Sequence, residues 1–302
     1  MPERNSSPLP HGRVLVGYDG SGPALRALDR AVDEAVRRGT ALEILCGAPW
    51  APPPTPGTGL APAEQEQFHR IARLALDDAA ERAARHAPEL RIVPTLTDEP
   101  AAAALLHAAR TAGLVVVGTR GHGGFAGLLL GSVSLRVAAH SAAPVMVVRG
   151  DAELDEKPRG ALLVGVKSDA DAPAVRFALQ EAARRDARVR ALHAWLHPAP
   201  PGGMPTVDAE RMWLQAEQRR EAEETVARDA VAALRAEFPD IDVAADHELA
   251  PPAAAVLEAT AAVDLVILAA RRDKRRYGLQ LGPVTHAVLH HARCPVVLVP
   301  VV

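Results

Sequence analysis

Residues 114–148 and 265–299 align without a gap, and this internal repeat restricts the fold more than any other feature of the chain. The first segment reads LVVVGTRGHGGFAGLLLGSVSLRVAAHSAAPVMVV and the second LVILAARRDKRRYGLQLGPVTHAVLHHARCPVVLV. Gly127 falls on Gly278, Gly131 on Gly282, His140 on His291 and Pro144 on Pro295. The amino-terminal ends correspond as well. RVLVGY at 13–18 matches ALLVGV at 161–166, and Arg37-Arg38 falls on Arg184-Arg185. Self-similarity of this kind marks one structural unit used twice. The 302 residues therefore divide into two domains of ordinary size, 1–150 and 151–302, joined by the charged stretch GDAELDEKPRG at 150–160.

Each half alternates between two patterns. Residues 14–18 are a short β-branched run without polar alternation, as expected of a strand covered on both faces. Residues 23–38 place apolar side chains at helical spacing. The alternation continues with strands at 42–46, 90–96, 114–118 and 145–149, and helices at 63–86 and 132–140. A further helix ends through Arg110, with Asp98 as its expected cap. The proline-rich segment 48–62 is read as an extended loop. The second half repeats the series: strands at 161–166, 188–194, 241–246, 265–268 and 296–299, with helices at 173–185, 208–238, 252–262 and 284–291. The expected fold class is α/β: two tandem Rossmann-like domains, each a five-stranded parallel sheet with helices on both faces.

Composition narrows the function. Hydrophobic residues make up 48% and charged residues 24%, enough to bury two cores, which excludes a disordered chain. The apolar runs are far shorter than the ~18–20 residues of a membrane span. The start, MPERNSSPLPHGR, has no apolar core of a secretory signal, and two cysteines make no disulfide framework. A cytoplasmic protein is expected. A net charge of −3 and only 3% aromatic residues speak against nucleic acid and anionic membranes as partners.

In open parallel sheets, ligands bind beyond the carboxyl ends of the strands, where the strand order reverses. Asp19-Gly20-Ser21 follows the first strand, and Gly118-Thr119-Arg120-Gly121 follows the fourth. Nine residues later come Gly131-Ser132-Val133-Ser134, giving G-x2-G-x9-G-S. Glycines let backbone N–H groups approach an anion, and the helix begun by Ser132, Val133 and Ser134 offers free donors and a favourable dipole. Asp19 is a poor neighbour for phosphate and suits a ribose hydroxyl or an adenine edge. The segment GHGGFA at 121–126 matches the dinucleotide fingerprint, but it follows the fourth strand instead of the first, so NAD binding is not expected. No Walker pattern and no G-x-S-x-G are present.

These residues carry a resemblance. GYDGS after the first strand, GTRGHGGFAGLLLGSVS after the fourth and APVMVV at the end of the unit resemble the universal stress protein family, and the tandem arrangement is similar to its two-domain members. The resemblance implies a five-stranded parallel sheet that binds ATP, or ADP or AMP, with or without magnesium. It places the adenosine end at Asp19 and the adenine against the backbone near Gly47. Gly118, Gly121, Gly131, Ser132 and Ser134 would hold ribose and phosphates. It also implies a sensor or regulator in the stress response, at most a slow ATPase, working with an unidentified regulatory protein. A nucleotide-independent interaction scaffold is the third reading. Family domains commonly pair through the last strand, so an intramolecular pseudo-dimer through 145–148 and 296–299 is expected, with a homodimer as a further step.

The second half departs from the pattern. Lys167 stands in place of Asp19, Ala269 of Gly118, Arg272 of Gly121 and Pro283 of Ser132, so this domain is read as degenerate. RRDKRR at 271–276 is either a side-chain site for a polyanion or a solvated loop, and charge runs are usually the latter. His122 is read as a γ-phosphate contact or a solvated loop residue. His286 and His290 share a helical face but lack a third metal ligand, and Cys46 and Cys294 are read as small buried residues.

Overall fold

A computed structural model describes residues 11–47, 62–119, 121, 130–149, 159–196, 209–271 and 281–301, with the backbone alone at 62–63 and 209–216. The chain divides into two compact units, Met1–Asp151 and Ala152–Val302. Residues 48–61 of the loop expected at 48–62, the loop expected at 197–205, His122, the GHGGFA segment beyond Gly121 and Arg272 to Arg276 lie outside the described residues, while Pro62 opens a helix instead of closing the loop.

The first unit runs β1 (Arg13–Gly17), α1 (Gly22–Arg38), β2 (Leu42–Gly47), α2 (Pro62–His86), β3 (Ile92–Thr97), α3 (Ala101–Ala108), β4 (Ala112–Gly118), α4 (Ser132–His140) and β5 (Val145–Val148). All strand pairs are parallel, and the spatial order is β3-β2-β1-β4-β5. Val14 pairs with Leu42 on one side and Leu114 on the other, and Val115 pairs with Val145. Helices α1 and α2 pack together on one face, and α3 and α4 on the other. This explains the continuous apolar strands: Val14, Leu15 and Val16 are all fully buried. The order reverses between β1 and β4, so a crevice opens at their carboxyl ends.

The second unit repeats the topology. Its elements are β6 (Ala161–Gly165), a 3-10 turn (Asp169–Asp171), α5 (Ala172–Arg185), β7 (Arg188–Trp195), α6 (Ala209–Ala232), β8 (Val243–Leu249), α7 (Pro252–Ala259), β9 (Leu265–Arg271), α8 (Pro283–His291) and β10 (Val296–Val301). The order is β8-β7-β6-β9-β10, again all parallel.

The first helices of the two units show why the repeat is structural. Helix α1 ends at Gly39 with φ 59°, a left-handed residue that glycine adopts freely, and α5 ends at Asp186 with φ 50° in the same conformation. Glu34 and Glu181 are fully buried at matching positions. Arg37 donates to Glu34 at 3.3 Å and Arg184 to Glu181 at 2.7 Å. On the first sheet, buried Arg13 donates to Glu43 at 2.6 Å and to Thr111 at 2.9 Å, while Thr95 donates to the other oxygen of Glu43.

Three local expectations are corrected. Asp98 does not cap α3. Pro100 occupies that position without a side-chain hydrogen bond, and Asp98 instead pairs with His69 at 2.9 Å. The helix expected through 238 ends at Ala232 and is followed by a separate 3-10 turn at Arg235–Glu237. The helix expected through 262 ends at Ala259, where a 3-10 turn begins and Thr260 Oγ1 donates back to the carbonyl of Leu257. A hydroxyl that takes a backbone carbonyl in this way competes with helix continuation.

Candidate functional site

The crevice of the first unit holds a cavity of about 190 Å³. Gly17, Tyr18 and Asp19 line it from the end of β1, Val117 and Gly118 from β4, Ala101 and Leu105 from α3, and Gly131 to Ser134 from the start of α4. Seven of the eight residues expected at the site therefore meet here: Asp19, Gly118, Gly121, Gly131, Ser132, Val133 and Ser134. Leu45, Leu105 and Val117 line the cavity with apolar side chains, and two polar groups join them.

One is Asp19. Its Oδ1 accepts the backbone N–H of Ser21 at 3.0 Å, which turns the carboxylate into the loop ahead of α1. Ser21 in turn caps α1, accepting from the N–H of Ala24. Asp19 raises the pKa of two neighbours. Burial pushes the Tyr18 phenol up first, and the Asp19 and Asp78 carboxylates add to it. Burial likewise pushes the Cys46 thiol up, with Asp19 as the second cause. Both protons are thus held by a weakly solvated, negative surrounding.

The other is the start of α4. The residue before this helix is Gly131, in extended conformation with φ −74°, and it has no side chain to cap the helix. The first intrahelical bond runs from Leu135 N–H to the Gly131 carbonyl at 2.9 Å. The N–H groups of Ser132, Val133 and Ser134, residues that line the cavity, therefore have no acceptor within the helix. The contrast with the capped α1 is local chemistry: Ser21 supplies an acceptor and Gly131 does not. Gly131 N–H also donates to the Thr119 carbonyl at 2.6 Å, which ties the start of α4 to the end of β4.

The glycines act through close approach. A Cβ on Gly121 would fall inside contact distance of Asp19 Oδ2 and 3.2 Å from its Cγ. A Cβ on Gly118 would lie 2.7 Å from the carbonyl oxygen of Pro23, so this glycine makes room for α1. Gly47 is not among the cavity-lining residues. A Cβ there would lie 2.8 Å from the Ala101 nitrogen, so Gly47 lets the start of α3 settle on the end of β2. Ser134 is similarly committed. Its hydroxyl, only 7% of the residue being exposed, donates to the Gly118 carbonyl at 2.6 Å and ties α4 to the end of β4.

A model of the universal stress protein family matches residues 11–149 and again 159–300. The chain belongs to the universal stress protein family. A universal stress protein of Mycolicibacterium smegmatis is 30% identical over 292 residues, covering 95% of this chain and 96% of that one. The crystal structure of a universal stress protein from Archaeoglobus fulgidus covers 95% of this chain and 96% of its own, with a TM-score of 0.67 at 16% identity, and so shares the fold. A universal stress protein solved in complex with cAMP is 30% identical over 47% of this chain, with a TM-score of 0.37.

The two universal stress protein units differ at the site. After β6, the backbone N–H groups of Lys167 and Ser168 donate to Asp171 Oδ2, at 2.6 and 3.3 Å. Ser168 caps the 3-10 turn as Ser21 caps α1. Pro283 opens α8, removing the N–H that Ser132 offers. His193, buried on β7 where the first unit has Cys46, donates Nδ1–H to the Val166 carbonyl at 2.8 Å and meets Glu223 of α6 through Nε2 at the same distance. Among the described residues, no group of three or more potential metal ligands occurs, His286 and His290 included. Sequence reasoning missed Tyr18, Ala101 and Leu105. The two α3 residues give no polar signal, and only the packing of α3 on Gly47 brings them in.

Proposed function

We propose that the first unit binds an adenine nucleotide and that the chain works as a stress-response sensor or regulator whose state follows that occupancy. The uncapped start of α4, lining the same cavity as Asp19, carries the reading. Three unpaired backbone donors and a helix dipole suit phosphate, while a carboxylate suits ribose hydroxyls and repels phosphate. The two groups thus suit a ligand with a polar sugar and an anionic tail, and the apolar side chains of the cavity suit its flat part. The cavity volume of about 190 Å³ is below the roughly 300 Å³ of a drug-sized pocket, so part of the nucleotide would extend beyond it.

ATP, ADP and AMP all meet these requirements. Magnesium would be held by phosphate oxygens and water, because the described residues supply no metal cage. A cytoplasmic location belongs to this reading. Among the described residues no helix is long and apolar enough to cross a membrane.

Mass spectrometry of small molecules released from freshly purified protein tests the reading. An adenine nucleotide is expected from the wild-type chain and not from Asp19→Ala. A wild-type chain that releases none, and binds none when ATP, ADP and AMP are added, contradicts it.

A further inference from the structure

The second unit fills with its own side chains the place that the first unit leaves open. Aligned from their shared carboxyl ends and their serine caps, α1 and α5 set Ala24 against Asp171. Ala24 lines the cavity of the first unit. Asp171 is buried, with its side chain 3% exposed, and it projects a carboxylate between the ends of β6 and β9. Its Oδ2 takes the backbone N–H groups of Lys167 and Ser168. Its Oδ1 takes Arg271, from Nη2 at 2.8 Å and Nε at 3.2 Å. The same Nη2 donates to Ser168 Oγ at 2.9 Å.

Arg271 stands at the carboxyl end of β9, the strand that corresponds to β4. Its side chain remains 41% exposed, so solvent reaches the guanidinium from outside while Asp171 holds it from within. A guanidinium fork accepts carboxylate and phosphate with the same geometry. We propose that Asp171 is a built-in ligand for Arg271, holding shut a latent site for a phosphate-bearing anion in the second unit. The internal carboxylate is always present at high effective concentration, so a free anion competes poorly with it. Removing its charge frees the arginine. The inference does not depend on the first unit binding a nucleotide.

The test is Asp171→Asn, which keeps an oxygen to accept from Lys167 and Ser168 but removes the charge. Binding of inorganic triphosphate is measured by calorimetry on the full chain, and the first unit is identical in every variant. At low salt, Asp171→Asn should bind triphosphate at least about tenfold more tightly than wild type. The gain should shrink as salt is raised and vanish in Asp171→Asn/Arg271→Ala. A folded Asp171→Asn that binds no better than wild type overturns the proposal, as does a gain that survives Arg271→Ala. Where Asp171→Asn does not fold, Asp171→Ser, which keeps a hydroxyl oxygen to accept from the Lys167 and Ser168 N–H groups and removes the charge, takes its place. The same gain of about tenfold is expected, and a folded Asp171→Ser that binds no better than wild type overturns the proposal.

Discussion

Gly121 lies against Asp19 so closely that a Cβ at position 121 would sit 3.2 Å from the Asp19 Cγ and inside contact distance of Oδ2. The glycine sets where the carboxylate points. Gly121→Ala should therefore act through Asp19. Asp19→Ala removes one charged acceptor, an effect of about 1.5–3 kcal/mol, or roughly ten- to a hundredfold in nucleotide affinity. If Gly121→Ala works by displacing Asp19, the two substitutions are not additive, and the double variant is little worse than Asp19→Ala. Gly121 is exposed, so unfolding midpoints should move little. Calorimetry on the four members of the cycle measures the coupling.

Gly47 controls the cavity at one remove. A Cβ there would meet the Ala101 backbone at 2.8 Å, and backbone yields less readily than a side chain. Gly47→Ala should push α3 away and cost about 1–3 kcal/mol of stability by overpacking. Ala101 and Leu105 move with α3, so nucleotide affinity should fall as well. Thermal melts and binding measured on the same variant check both effects.

Arg13 and Glu43 form a buried pair on the first sheet, at 2.6 Å with both side chains 3% exposed. Glu43→Leu strands a buried guanidinium and should cost about 3–5 kcal/mol. Arg13→Met/Glu43→Leu should recover most of that loss, because a well-packed apolar pair is often as stable as the ion pair. Urea unfolding of the single and double variants decides.

The Cys46 thiol gives a pH-dependent reporter. Burial first, and then Asp19, raise its pKa in the folded chain. The folded state thus holds the thiol proton more tightly than the unfolded state. The associated stability is fully present below the ordinary thiol pKa and is lost as pH rises through the folded value. Tyr18, raised by burial and then by Asp19, acts in the same direction at higher pH. Asp19→Asn removes a negative neighbour, so alkylation of Cys46 at a fixed mildly alkaline pH should speed up. An unchanged rate would mean that Asp19 exerts no field on the thiol.

Much of this was legible in the residues. The gapless repeat announced two units, and short apolar runs without alternation announced parallel strands covered on both faces. Glycine spacing with Asp19 located the crevice, because backbone approach and acceptor chemistry are local properties. What stayed hidden depends on three-dimensional proximity. Gly47 looks like a ligand-facing glycine, yet it makes room for Ala101, and Gly118 both lines the cavity and makes room for Pro23. Ser134 looks like a phosphate donor, yet its hydroxyl is given to the Gly118 carbonyl. Asp171 gave no signal at all. It matters only because Arg271, a hundred residues away in sequence, reaches it.

The central claim is that a nucleotide is held by one unit and not the other, and a stoichiometry tests it most directly. Titration calorimetry with ATP, preceded by removal of any bound ligand, should give one site per chain. Gly121→Arg, which copies the residue of the second unit, should abolish that site, and Lys167→Ala should leave it unchanged. Two equivalent sites per chain, or full binding by Gly121→Arg, would contradict the claim.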